Sequence, residues 1–144
     1  NRVSILLVAG FFVMAAASGM PLPAIAAHAG AGLTVLAAAF VCFAMGWVGG
    51  GDAKVATATA LWFGFDHLLN YLVYASLFGG ALTVMLLQFR QWPLPYVLGS
   101  QPWLQRLHDR DSGIPYGIAL ALGALMIYPE TEWMKAVDVT RFIG

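Results

Sequence analysis

The chain has 144 residues, 60% of them hydrophobic and only 10% charged, with seven basic and seven acidic side chains that cancel. Ordinary soluble domains carry about 25% charge, so this composition, with a mean hydropathy of +0.78, excludes a soluble domain and predicts an all-α, polytopic transmembrane helix bundle. The zero net charge argues against nucleic acid as a partner, and a single cysteine, Cys42, excludes a disulfide framework or a paired-cysteine zinc site.

Hydropathy divides the chain into about five candidate membrane helices, each needing about 20 residues to cross a bilayer core. No internal repeat or low-complexity tract interrupts them, so residues 1–144 are expected to form one membrane domain. The chain opens at Asn1 without an initiator methionine, which leads to the expectation of an N-terminal truncation with a sixth helix upstream. Val3 to Ser18 has the look of a secretory signal, but the apolar runs behind it favour a retained span.

The first helix is expected from about Val3 to Gly19, ending at Met20-Pro21-Leu22-Pro23, where two prolines remove backbone donors. The second runs from about Ala29 to Val48 and ends in three glycines. A third, about Ala53 to Phe65, meets an interruption at Asp66-His67, where Asp66 makes an N-cap for a fourth helix reaching about Phe89. A polar connection, Arg90 to Ser112, contains an interfacial helix from Pro102 to Arg110. Its Trp103, Leu104 and Leu107 would face lipid, and its Arg106, Asp109 and Arg110 would face water. The fifth helix runs from Gly113 to about Tyr128, and Pro129 opens a mixed tail in which Glu130, Glu132 and Asp138 are expected to be solvated.

Successive crossings place Arg2, Lys54, Arg90, Arg106 and Arg110 on one side and Lys135 and Arg141 on the other. The positive-inside rule makes the first side cytoplasmic. Trp92, Trp103 and Trp133 fall near predicted boundaries and read as aromatic anchors. Gly79-Gly80 and Gly117-x5-Gly123 would permit close helix packing. His28 comes after the proline turn and carries no further signal, and His108 has no companion at a metal-ligand spacing.

The run Gly49-Gly50-Gly51-Asp52-Ala53-Lys54 carries the chemistry. An ionisable residue between two apolar spans is expensive to place, costing at least ~3 kcal/mol at the bilayer centre, and so is a candidate functional residue. The third span is short, which would draw the glycine turn below the headgroups and put Asp52 in a partly dry site. Glycines there could adopt positive φ or admit another backbone. Alternatively, Asp52 only caps its own helix, the third. Lys54 is badly placed for that helix dipole and is expected to meet a partner or to snorkel to headgroups.

This run resembles the GxGD-x-K element of the type IV prepilin peptidases. Ile114-Pro115-Tyr116-Gly117 is similar to the segment at the corresponding place in the short tight-adherence (Flp pilus) branch, and Asn1-Arg2-Val3 resembles the residues just after the first conserved Ile-Pro of the family. The resemblance implies a membrane aspartic endopeptidase of the bacterial inner membrane that removes prepilin leaders at the cytoplasmic boundary, without cofactor or metal. It implies Asp52 as one catalytic carboxylate, supported by Gly49, Gly51 and Lys54, with the second aspartate ahead of Asn1, so that the chain by itself would be inactive. Within the chain, Asp109 and Asp111 are the runner-up for that second acid. The long branch's paired-cysteine cytoplasmic domain has no counterpart here, which puts N-methylation of the product in doubt. A non-catalytic assembly subunit and a small transporter with a coupling carboxylate are the competing readings, although no inverted repeat supports transport.

Overall fold

A computed structural model describes residues 2–92, 102–109 and 113–136. The described residues are helical: α1 (Arg2–Ala17), α2 (Leu22–Ala44), α3 (Gly50–Phe89), α4 (Pro102–His108), α5 (Tyr116–Ile127), a 3-10 turn (Tyr128–Glu130) and α6 (Glu132–Ala136). The expected all-helical class is therefore observed. Two of these helices, α2 and α3, are long and apolar enough to cross a membrane, whereas α1 and α5 are shorter apolar helices.

The 40 residues of α3 are not one rod, because Gly64 sits at φ 61°, ψ −172°. That region of backbone space is essentially reserved for glycine. In a straight helix Thr59 and Tyr71 would stand about 18 Å apart, yet the Tyr71 hydroxyl lies beside Thr59. Phe63 and Tyr71 meet with ring centroids 5.1 Å apart. The chain therefore turns back at Gly64 into two arms, 50–63 and 65–89, packed against each other. The expected interruption at Asp66-His67 is displaced to Gly64, because a side chain at the turning residue would be strained. Asp66 accordingly falls inside the first turn of the second arm and is not its N-cap.

Carbonyls just ahead of the turn lose the donors that a continuous helix would bring to them. Two side chains take their place. His28 Nδ1 lies 2.8 Å from the Leu61 carbonyl oxygen, and since a carbonyl only accepts, that nitrogen carries the proton. Trp133 Nε1–H donates to the Trp62 carbonyl at 2.8 Å. The Trp62 indole in turn donates to Leu7 in α1 at 2.8 Å. Trp133 is 6% exposed and packs edge-on against Phe11 and Trp62. The aromatic-anchor reading fails for Trp133, whose indole N–H is more valuable inside, on an unpaired carbonyl, than at an interface. Trp92 and Trp103, at 74% and 63% exposure, remain outward.

Helix α2 starts earlier than expected, with Pro at its first turn, so His28 lies within the helix and not just ahead of it. It runs antiparallel to the first arm: Gly32 faces Leu61 and Thr57, and Gly50 faces Phe43. Helix α5 packs on the second arm in the same way, with Gly123 against the backbone of Ala75 and Gly79 against Tyr116 and Ala119. Small residues at these crossings let backbones approach closely. Among the described residues nothing lies within 4 Å of where a Gly80 Cβ would be.

These contacts sort the ends of the bundle. The starts of α1, α3 and α5 lie with the ends of α2 and of the second arm. Gly64, the α1–α2 connection and α6 gather at the other end. Around the sides Leu6, Leu22, Leu33, Leu69 and Leu125 are all more than 60% exposed. An apolar exterior this extensive marks a surface that meets lipid or another protein.

Candidate functional site

Helix α2 stops at Met45, and the connection to α3 turns at Gly46, which has φ 75°. The triple glycine does not use positive φ, contrary to expectation: Gly49 is extended at φ −69°, ψ 142° and is the N-cap of α3. What the glycines provide is space. Phe43 lies 3.2 Å from where a Gly50 Cβ would be, and among the described residues nothing approaches that position at Gly51 within 4 Å. One side of the first turn is consequently open up to Asp52.

Asp52 is half-buried at the third helical position of α3. No side chain caps α3 at Gly49, and the Asp52 carboxylate turns instead to the start of α5, where it takes a backbone hydrogen bond from Gly117. Pro115, the N-cap of α5, offers no side-chain cap either. The amides of Tyr116 and Ile118 find local carbonyls on Ile114 and Pro115, and Asp52 supplies the acceptor for the amide between them. The carboxylate thus meets the start of a second helix while staying at the first turn of its own, with Oδ2 3.6 Å from where a Gly49 Cβ would be.

Two helix N-termini converge on this one carboxylate. Both dipoles present their positive ends to it, and Asp52 lies in the first turn of α3. A Cβ on Gly117 would lie 3.5 Å from Asp52 Oδ1, so the absence of a side chain there keeps the approach clear. One edge of the Tyr116 ring lies against Gly79, and its hydroxyl is 3.3 Å from Thr83 Oγ1, which fixes the height of α5 against the second arm.

Lys54 is exposed and points away from α5, towards grooves lined by α1 and α2. At the same end of the molecule α4 rests on the second arm. Arg90 Nε–H donates to the Leu107 carbonyl at 3.0 Å, and the His108 ring meets Phe89 edge-on at 5.3 Å. Trp103 is exposed as expected, and Asp109 is exposed at the end of α4. Arg110, Asp111, Asp138 and Arg141 lie outside the described residues. Asp66 and His67 are at the opposite end, one arm-length from Asp52, with the exposed Glu130 and Glu132 on that side. Among the described residues no cluster of three or more His, Cys, Asp or Glu is placed to hold a metal ion.

Sequence reasoning selected both Asp52 and the Ile114 to Gly117 segment, but not the bond between them. It also passed over His28 and Trp133. The available signal was Gly64, a lone glycine inside an apolar run whose break leaves carbonyls in need of donors.

A model of the type IV leader peptidase family matches residues 1–84, more than half of the chain. The chain belongs to that family. The match contains Asp52 and the Gly64 turn and stops short of α5. No curated protein and no solved structure matches the chain.

Proposed function

We propose that the protein is a membrane-embedded aspartic endopeptidase that removes the leader of type IV or Flp-type prepilins at the cytoplasmic membrane boundary, with Asp52 as one of its two carboxylates. Family membership supports a leader peptidase in general. The observation that carries the specific reading is the Asp52 carboxylate bonded to the Gly117 amide, because it unites the Gly49 to Lys54 and Ile114 to Gly117 segments in one place.

Peptide hydrolysis by a carboxylate pair needs two acids that share one proton. The ionised acid takes a proton from water as it attacks, the protonated acid donates to the scissile carbonyl, and the roles reverse as the amine leaves. In this reading Gly117 fixes the direction of Asp52, and the open side at Gly51 admits the scissile bond. Gly49 and Gly51 keep that side clear, and Lys54, turned away from α5, snorkels to the headgroups at the same end of α3. The second acid belongs to a segment ahead of Asn1, as the resemblance implies, and Asp109 with Asp111 is the alternative pair.

Two apolar helices of sufficient length, and an exterior of exposed leucines, support a polytopic protein of the bacterial inner membrane. The shared end of α1, α3 and α5 is then the cytoplasmic one, because Arg2, Lys54 and Arg90 lie there. A bundle of five spans accounts for α1, α2, both arms of α3 and α5.

The bond to Gly117 also fits a non-catalytic bundle, in which Asp52 is only a bridge between helices. Co-expression of the full-length protein with a prepilin separates the two. On the peptidase reading Asp52→Asn abolishes leader removal, read as the mass of the pilin, while the protein remains inserted, and Asp109→Ala leaves processing largely intact. Normal processing by Asp52→Asn overturns the proposal.

A further inference from the structure

The amide that holds Asp52 belongs to the peptide unit joining Tyr116 to Gly117, and such a unit is planar and rigid. Its direction is therefore set by whatever fixes Tyr116. The Tyr116 amide bonds to the Ile114 carbonyl at 2.9 Å, which ties the backbone to its own loop. The Tyr116 side chain ties it to the second arm of α3. One edge of the ring lies 3.2 Å from where a Gly79 Cβ would be, and the hydroxyl is 3.3 Å from Thr83 Oγ1.

The direction of that last bond follows from counting protons. Thr83 Oγ1–H donates to the Gly79 carbonyl at 2.7 Å, and a hydroxyl has one proton to give. Thr83 is therefore the acceptor and the Tyr116 hydroxyl the donor. A chain of contacts thus runs from the Gly79 carbonyl through Thr83 and Tyr116 to the Gly117 amide, and ends on the Asp52 carboxylate. Thr83 and Tyr116 are both half-buried, a setting in which hydrogen bonds are stronger than in water.

We infer that Tyr116 and Thr83 are positioning residues for Asp52: their hydroxyl pair holds α5 at the height and rotation that aim the Gly117 amide at the carboxylate. The effect on cleavage rests on the peptidase reading, whereas the effect on the Gly117 amide does not. Without the pair, α5 still packs on the second arm through Ala119 and Gly123. Its first turn, which has no side-chain cap at Pro115, loses the side-chain tie adjacent to Gly117. The carboxylate then spends less time in the reactive direction, which lowers kcat and leaves substrate affinity alone.

The test uses the full-length protein in detergent and two variants that each delete one oxygen with little change of shape, Tyr116→Phe and Thr83→Val. Labelling tyrosine at the carbonyl carbon and glycine at the nitrogen isolates the amide between Tyr116 and Gly117, the one Tyr-Gly pair in this sequence. Its proton resonance in both variants is expected to move from the wild-type position towards that of Asp52→Ala, in which the acceptor is gone. In a prepilin cleavage assay both variants should lose about tenfold in kcat at unchanged KM, within the roughly 100-fold that a misplacement of about 1 Å can cost. Thr83→Ser, which keeps the hydroxyl, should stay at the wild-type values of both readouts. The double variant should be no worse than either single one, because the two residues act as a unit. If one variant fails to fold, the other carries the test. An unmoved Gly117 resonance overturns the inference, as does a lower unfolding midpoint with kcat unchanged, the mark of a purely structural contact. The peptidase reading fails separately, by normal leader removal in Asp52→Asn, whatever the Gly117 resonance does.

Discussion

The backbone amide of Gly117 bonds to the carboxylate of Asp52, so the first turn of α5 is capped by a residue of α3. Neither helix carries a side-chain cap at its own N-cap position. The acid is therefore a fixed part of the junction between two helices, and its direction is set by a backbone group that no side-chain rotation can move.

Size at position 117 should control that geometry. A Cβ would lie 3.5 Å from Asp52 Oδ1, an ordinary contact, so Gly117→Ala is expected to fold and to retain most cleavage. Gly117→Leu cannot keep the carboxylate in place, and displacement of a catalytic group by about 1 Å can cost about 100-fold. Leader-removal rates of the two variants, with thermal unfolding in detergent as a control, check the contrast.

Gly64→Ala should destabilise the protein outright. Its φ of 61° is unfavourable for any side chain, and the new Cβ would lie 3.0 Å from the His28 ring. The backbone strain by itself costs about 1–3 kcal/mol. The expected result is a lower unfolding midpoint in detergent, with a drop larger than that of Gly80→Ala, where among the described residues nothing lies within 4 Å of the added Cβ.

The two carbonyls at the turn predict a pair of matched losses. His28→Leu leaves the Leu61 carbonyl without its 2.8 Å donor, and Trp133→Phe does the same for Trp62. Each should cost about 1–3 kcal/mol, the penalty for a buried group left unpaired. His28→Asn, which keeps a donor, should recover part of the first loss. Trp103→Phe, at a site 63% exposed, should leave the unfolding midpoint unchanged.

Gly123→Ala should push α5 off the second arm of α3. The added Cβ would sit 2.9 Å from the backbone nitrogen of Ala75, and a backbone atom cannot swing aside. Overpacking of this kind costs about 1–3 kcal/mol. Because α5 carries Gly117, the variant is expected to lose cleavage together with stability. Cross-linking of cysteines placed at exposed positions of α5 and the second arm would report the wider spacing.

Much of this fold was legible from residue order. Low charge and long apolar runs determine helices in a membrane-like setting, and Pro21 with Pro23 determines where α1 cannot continue. The Gly49 to Lys54 run stands out because charge inside apolar sequence is costly, which makes Asp52 the candidate. Boundaries were less legible: α2 begins at Leu22, since proline is acceptable in a helical first turn, and the α3 turn falls on Gly64 instead of the polar pair after it. Residues of α4 were read correctly as far as Trp103, which is outward.

What the sequence by itself determined are the properties that depend on neighbours along the chain: hydrophobic length, helix breakers and the placement of the single acid among glycines. Only the tertiary structure decided which groups answer the unsatisfied polar atoms. His28 reaches Leu61 across 33 residues and Trp133 reaches Trp62 across 71, while Asp52 finds its donor on α5. Such pairings leave no periodic trace, because a hydrogen bond between distant segments depends on where the helices pack, and packing here is governed by the close approach of small residues such as Gly79 and Gly123.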